Sequence, residues 1–152
     1  VFGGSHERGL RAGTEASPLI AAFGTAAAEV PHFDKQRKLY DSLKQRLADG
    51  VKALKDVIWL SPEKSVSYIV SISVPGIKSE TMLHFLAQHG VYVSSGSACS
   101  KGQRSSVLKE FGVSDKQADS AIRISFSRFT MQNEVDMLIE GLIEGERTLI
   151  HK

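Results

Sequence analysis

The sequence predicts a mixed α/β domain, about four short strands in one sheet with helices over it. Three observations carry this. Residues 68–74 (YIVSISV) and 122–126 (IRISF) are β-branched and alternate apolar with polar, the pattern of a half-buried strand. Apolar residues recur at helical spacing through 19–54 and again through 135–150. Turn formers separate these stretches: Ser61-Pro62, Pro75-Gly76, Gly90 and Gly112. Strands interleaved with helices favour one sheet covered by helices, and the long first helical region and the last helix are the expected cover.

Taken in order, residues 1–15 (VFGGSHERGLRAGTE) carry Gly3, Gly4, Gly9 and Gly13 with Arg8 and Arg11, and read as a loop. Ser17-Pro18 then starts a helix, with Ser17 as its N-cap. Leu19, Ile20, Phe23, Ala27 and Val30 form its stripe, and Pro31 ends or kinks it. Leu39, Leu43, Leu47, Val51 and Leu54 continue the pattern as one kinked helix or two in series. Residues 57–60 read as a strand and 68–74 as another. Ser79 opens a helix to about Gln88, which Gly90 stops. Residues 91–93 read as a brief strand, 105–111 as a short helix, and Ser114 with Gln117 as a capping box. Thr130 opens a last helix with Val135, Leu138, Ile139, Leu142, Ile143, Leu149 and Ile150 on one face.

The chain has 152 residues, 41% of them apolar and 24% charged, with a formal net charge of +2. Those values suit one soluble domain able to bury its own core. The charge balance gives no reason to expect nucleic-acid binding. The single cysteine rules out an internal disulfide and a cysteine-built zinc site. No apolar run approaches the ~18 residues of a membrane span, and a reducing, cytoplasmic location is expected. Opening at Val1 directly into a glycine-rich loop suggests a piece of a longer protein.

Three places could carry chemistry. Cys99 sits among Ser94, Ser95, Gly96, Ser97, Ser100, Lys101 and Gly102, a polar stretch that suits a displayed thiol. Lys101 and Arg104 are cations that could favour its thiolate; an inert loop cysteine is the alternative. In the opening loop, Gly3, Gly4, Gly9 and Gly13 allow close backbone approach, Arg8 and Arg11 supply fixed positive charge, and Thr14 adds a hydroxyl just before a helix start. That set suits a phosphate, although solvated arginines on a loop would look the same. Arg123 lies on the strand face opposite Ile122 and Ile124, where it is either solvated or holds a carboxylate. The histidines suggest no metal site: His84 and His89 are off the helical pairing distance, His6 lies in the opening loop, and His32 and His151 look solvent-facing.

Three motifs in order resemble the C-terminal part of the cysteine desulfurases, pyridoxal-phosphate enzymes of the class V aminotransferase group. They are residues 3–14 (GGSHERGLRAGT), 94–99 (SSGSAC) and 122–130 (IRISFSRFT). The resemblance implies the small C-terminal domain of a fold-type I pyridoxal-phosphate enzyme, formed by 16–152, with 1–15 a cofactor-phosphate loop belonging to a missing large domain. It implies that Cys99 takes sulfur from L-cysteine, leaves L-alanine, and carries a persulfide to an acceptor such as an iron–sulfur scaffold. It also implies that Arg123 binds the substrate carboxylate, and that Thr14, Gly13 and Arg11 bind the phosphate of pyridoxal phosphate. The parent is expected to be a homodimer in which that phosphate is bound across the subunit boundary. The serine-rich run 100–106 resembles the long-loop type, which delivers sulfur directly to a scaffold.

Two departures accompany the resemblance. The Ser-x-His-Lys motif that holds the cofactor lies upstream of the opening loop in the family, and this sequence contains none. The chain alone is therefore expected neither to bind the cofactor covalently nor to turn over cysteine. The strand 68–74 lacks an asparagine common in relatives. A selenocysteine lyase-like enzyme of the same fold and a non-catalytic module that docks a scaffold remain alternatives.

Overall fold

The computed structural model describes residues 2–30, 33–95 and 106–149. Pro31, His32, Cys99, Lys101, Arg104, Ile150 and His151 lie outside the described residues. The chain divides into two compact units, Val1–Lys35 and Gln36–Lys152.

In the first unit a 3-10 turn, His6–Gly9, precedes helix α1, Ser17–Ala28. Ala16 takes the N-cap position and Pro18 sits in the first turn, so Ser17 is helical and does not cap. Proline fits there because the first N–H groups of a helix have no intrahelical acceptor. Every residue of α1 is exposed, including Leu19, Ile20 and Phe23. A periodic stripe marks a face, not what lies on it.

The second unit contains nearly all of helix α2, Phe33–Gly50, then β1 (Ile58–Trp59), β2 (Ile69–Ser73), α3 (Ser79–Gln88), α4 (Ser106–Glu110), α5 (Asp115–Asp119), β3 (Ala121–Ser125) and α6 (Gln132–Thr148). The expected stripe on α2 is real. Leu43, Leu47, Val51 and Leu54 are buried in one core cluster with Val70, Ile72, Ile122 and Ile124 of the sheet. Met82 and Leu86 of α3 and Val135, Leu138 and Leu142 of α6 complete it. Each residue buried there contributes about 1.5–3 kcal/mol by leaving water, which offsets the chain entropy lost on folding.

Among the described residues the sheet has three strands in the order β1-β2-β3, antiparallel throughout. The fourth strand expected at 91–93 does not form. Ser94 instead makes a single antiparallel bridge to Arg123. The cause is the end of α3. Gly90 turns left-handed (φ 76°), its N–H donates to Ala87 O (3.1 Å), and the Val91 N–H donates to Leu86 O (2.9 Å). α3 is therefore still being closed at Val91, three residues before the bridge at Ser94. α4 ends in the same way at Gly112, with Gly112 N–H to Lys109 O and Val113 N–H to Leu108 O. The capping box of Ser114 and Gln117 opens α5 as expected.

α6 starts two residues later than Thr130. The Glu134 carboxylate accepts from the Met131 N–H (2.8 Å), while the Thr130 hydroxyl accepts from the Ser127 N–H (2.9 Å) and closes the preceding turn. No helix among the described residues is long and apolar enough to cross a membrane.

Candidate functional site

Arg123 is the middle residue of β3, and the register explains its setting. Even-numbered residues of β3 exchange hydrogen bonds with β2, so Ile122 and Ile124 pair with Ile72 and Val70 and turn their side chains into the core. Arg123 turns the other way, and its own backbone faces the chain at Ser94. Its N–H donates to Ser94 O (2.7 Å), and the Ser94 N–H donates to Arg123 O (3.0 Å). Across β2 its partner is Ser71. Ser71, Arg123 and Ser94 are each half-buried, abreast on the face away from the core. No ion pair of the Arg123 guanidinium is present among the described residues.

The same bridge fixes the root of the cysteine segment. Ser94 and Ser95 are the last described residues before it, and α4 is the first element after it. Cys99 itself, with Lys101 and Arg104, lies outside the described residues. Covalent geometry still limits it: five residues beyond Ser94, its Cα stays within about 18 Å of the Ser94 Cα.

In the first unit, Arg11, Gly13 and Thr14 come together locally. An Arg11 Nη1–H donates to the Thr14 carbonyl oxygen (3.1 Å). Gly13 between them has φ 100°, and a Cβ built on it would meet Arg11 Nη1 at 3.1 Å. The turn therefore depends on glycine twice, for its backbone angle and for the space the guanidinium occupies. All three residues are exposed. Glu7 and Arg8 upstream also adopt left-handed angles, φ 51° and 56°. Such angles are uncommon outside glycine and gather at ligand-binding segments.

His89 Nδ1 lies 2.8 Å from Phe85 O, and its ring stacks obliquely on Phe85 at 4.5 Å. No His, Cys, Asp or Glu cluster able to hold a metal ion occurs among the described residues. A broad open groove of about 900 Å³ between α2 and the β1–β2 connection, lined by Asp41, Lys44, Trp59 and Lys64 among others, contains none of the expected site residues.

Sequence reasoning missed Ser94 and Ser71 as the flanks of Arg123. The alternation in 68–74 and 122–126 puts Ser71 and Arg123 on the non-core face, but no residue pattern states which strands pair. Ser94 was read as part of the cysteine loop only.

Comparison with known proteins agrees with the order of these segments. The chain is 36% identical over 145 residues to the cysteine desulfurase IscS of Pseudoalteromonas translucida, covering 92% of this chain and 35% of that protein. It is 38% identical over 158 residues to the cysteine desulfurase IscS of Photobacterium profundum, covering 100% of this chain and 37% of that one. Among solved structures it is similar to a NifS-like protein at TM-score 0.83 and 30% identity, over 98% of this chain and 39% of that chain. A NifS-like protein from Rickettsia africae gives TM-score 0.79 and 28% identity, over 95% and 38%. The chain thus spans a little over a third of the length of the curated relatives it matches. Residues 4–138 match the family Aminotransferase class-V from the opening glycine loop, through the bridge at Arg123, and into α6. By that match the chain belongs to the aminotransferase class-V family.

Proposed function

We propose that this chain is the C-terminal part of a pyridoxal-phosphate-dependent cysteine desulfurase, of the long-loop type, in which Cys99 is the sulfur acceptor. The observation that carries the reading is the backbone pair between Ser94 and Arg123. It joins the root of the segment bearing the one cysteine to an arginine with no carboxylate partner among the described residues. A substrate needs both groups, one for its carboxylate and one for its sulfur.

The residues of the opening loop fit a cofactor phosphate. Arg11 spends one donor on the Thr14 carbonyl and keeps its others, and the Thr14 hydroxyl is exposed beside it. Gly13 keeps the backbone bare at the same point. These three residues would hold the phosphate. Bound cofactor supplies the electron sink that allows the carbon–sulfur bond of L-cysteine to break.

This chain's residues then have distinct work. Arg123 binds the substrate carboxylate through its planar fork and sets the orientation of the substrate sulfur. The Cys99 thiolate bonds to that sulfur as the carbon–sulfur bond breaks. The electron pair stays with the carbon, which takes a proton and leaves as L-alanine, and the persulfide remains on Cys99. The cation beside it, Lys101, favours the thiolate. The persulfide then passes to an acceptor protein such as an iron–sulfur scaffold. The parent works as a homodimer, with the 1–15 loop serving the phosphate of the partner subunit.

The test is mass spectrometry of the full-length protein after exposure to L-cysteine. A persulfide on the Cys99 peptide, with equivalent L-alanine, is expected. Cys99→Ser should lose both, and the 152-residue chain by itself should release no alanine. Alanine release undiminished in Cys99→Ser, or retained only with L-selenocysteine, would sink the desulfurase reading.

A further inference from the structure

We propose that Ser71, Arg123 and Ser94 form one carboxylate-binding row, a guanidinium flanked by two hydroxyl donors. This deepens, and rests on, the reading of Arg123 as the substrate's carboxylate ligand. The register supplies the geometry. Ser94 and Arg123 exchange both backbone bonds, which sets their Cα atoms about 5.5 Å apart. Ser71 faces Arg123 as the non-hydrogen-bonded partner, where Cα atoms approach to about 4.5 Å and side chains lie closer. Residues directly opposite in antiparallel strands project to the same face. Both flanks of the arginine stem are therefore short hydroxylated side chains.

The chemistry fits one class of ligand. A carboxylate is acceptor-only and has more lone-pair sites than one guanidinium fork fills. The two serine hydroxyls on the same face are candidate donors for the sites the fork leaves open. No side-chain hydrogen bond of Ser71, Ser94 or Arg123 is present among the described residues. The row has a single cation and no acid: along the same face its neighbours are Ile69, Ser73, Ala121 and Ser125. One positive charge matches a monoanion such as an amino-acid carboxylate better than a phosphate dianion.

The experiment is an NMR titration of this chain with L-alanine, and with L-alaninamide, which lacks the carboxylate. L-Alanine should give saturable shifts at the Arg123 Nε–H and at the Ser71 and Ser94 amides, and L-alaninamide none. Ser71→Ala and Ser94→Ala should each weaken binding about tenfold, the worth of one hydroxyl bond to a charged acceptor. Ser71→Thr and Ser94→Thr should restore it. Cross-strand contacts between Ser94 and Arg123 serve as the folding control in every variant. If Arg123→Gln abolishes binding while both alanine variants bind normally, the row is wrong and Arg123 still stands as the carboxylate ligand. If L-alanine shifts nothing at Arg123, or Arg123→Gln binds as well, both readings fall.

Discussion

Ser94 and Arg123 hold each other through both of their backbone hydrogen bonds, at 2.7 and 3.0 Å. A closed pair of this kind normally belongs to a strand, but here it is one residue long. Gly90 and Val91 give their N–H groups to the end of α3, and Ser95 is the last described residue before the cysteine segment. The pair therefore acts as a rivet. It fixes where that segment starts without extending the sheet along it.

Ser94→Pro tests the rivet. Proline removes the N–H that donates to Arg123 O, and proline is tolerated in sheets only where no ladder donor is needed. The loss should be on the order of 1 kcal/mol in urea unfolding, with faster hydrogen exchange at the Arg123 amide. Ser94→Ala keeps both backbone bonds and should leave that amide protected. Equal Arg123 protection in the proline variant would show that the bridge restrains nothing.

Close helix approach makes a second prediction. A Cβ on Gly145 would lie 2.7 Å from Met82 Sδ and 2.9 Å from its Cε, and one on Gly141 would lie 2.8 Å from Leu86 Cδ2. Met82 and Leu86 are fully buried, so they have nowhere to retreat. Gly50, the last residue of α2, is pressed in the same way by Ile139 of α6. Alanine normally gains about 1 kcal/mol over glycine inside a helix. Overpacking costs about 1–3 kcal/mol. Gly50→Ala and Gly145→Ala should thus lower stability by on the order of 1 kcal/mol by chemical denaturation. Gly24→Ala in α1, with open space around it, should not. A stabilised Gly145→Ala would mean that α3 yields to α6.

Much of this fold was legible because periodicity and stop signals act locally. Leu43 and Leu47 lie on one face of α2, and burial followed that face and continued through Val51 and Leu54 just beyond the helix. Gly90 and Gly112 end their helices because each needs a left-handed angle there. What failed was whatever depends on a distant partner. The run 91–93 has strand composition, but only the residue after it, Ser94, pairs with β3. In the opening loop, Arg11 and Thr14 are joined by a local hydrogen bond across Gly13, a contact within reach of local sequence. The Ser94–Arg123 pair could not be read, because residues 29 apart in the chain carry no local mark of pairing. The role of Cys99 rests on its motif.

The Arg46–Asp136 pair predicts a pH dependence. Arg46 Nε and Nη2 reach the two carboxylate oxygens at 2.6 and 2.7 Å, tying α2 to α6. The hydrogen bonds from Arg46, with its charge, hold the Asp136 carboxyl below the usual aspartate range against the smaller effect of desolvation. A carboxyl lowered in the folded state stabilises above its unfolded value, about 3.9, and that contribution fades as pH falls through the folded value. Asp136→Asn should therefore lower Tm slightly at neutral pH. The gap from the parent sequence should close below about pH 4. The effect is small because the side chains are 43% and 39% exposed to screening solvent. A gap that stays constant down to acid pH would assign the loss to packing and not to the ion pair.

Ser73 yields the last prediction. It is fully buried in β2, opposite Ile58 and Ala121, and its hydroxyl has no hydrogen-bond partner among the described residues. A buried hydroxyl that gives up water without a replacement costs about 1–3 kcal/mol. Its backbone stays in the ladder whatever the side chain, so removing the oxygen deletes the penalty and little else. Only a small void replaces it. Ser73→Ala should therefore leave stability unchanged or raise it, by on the order of 1 kcal/mol, in urea or thermal unfolding. Ser73→Val separates the two contributions: it also removes the hydroxyl but adds volume beside Ala121, and should gain less than alanine. A clear loss of stability in Ser73→Ala would show that the hydroxyl has found a partner.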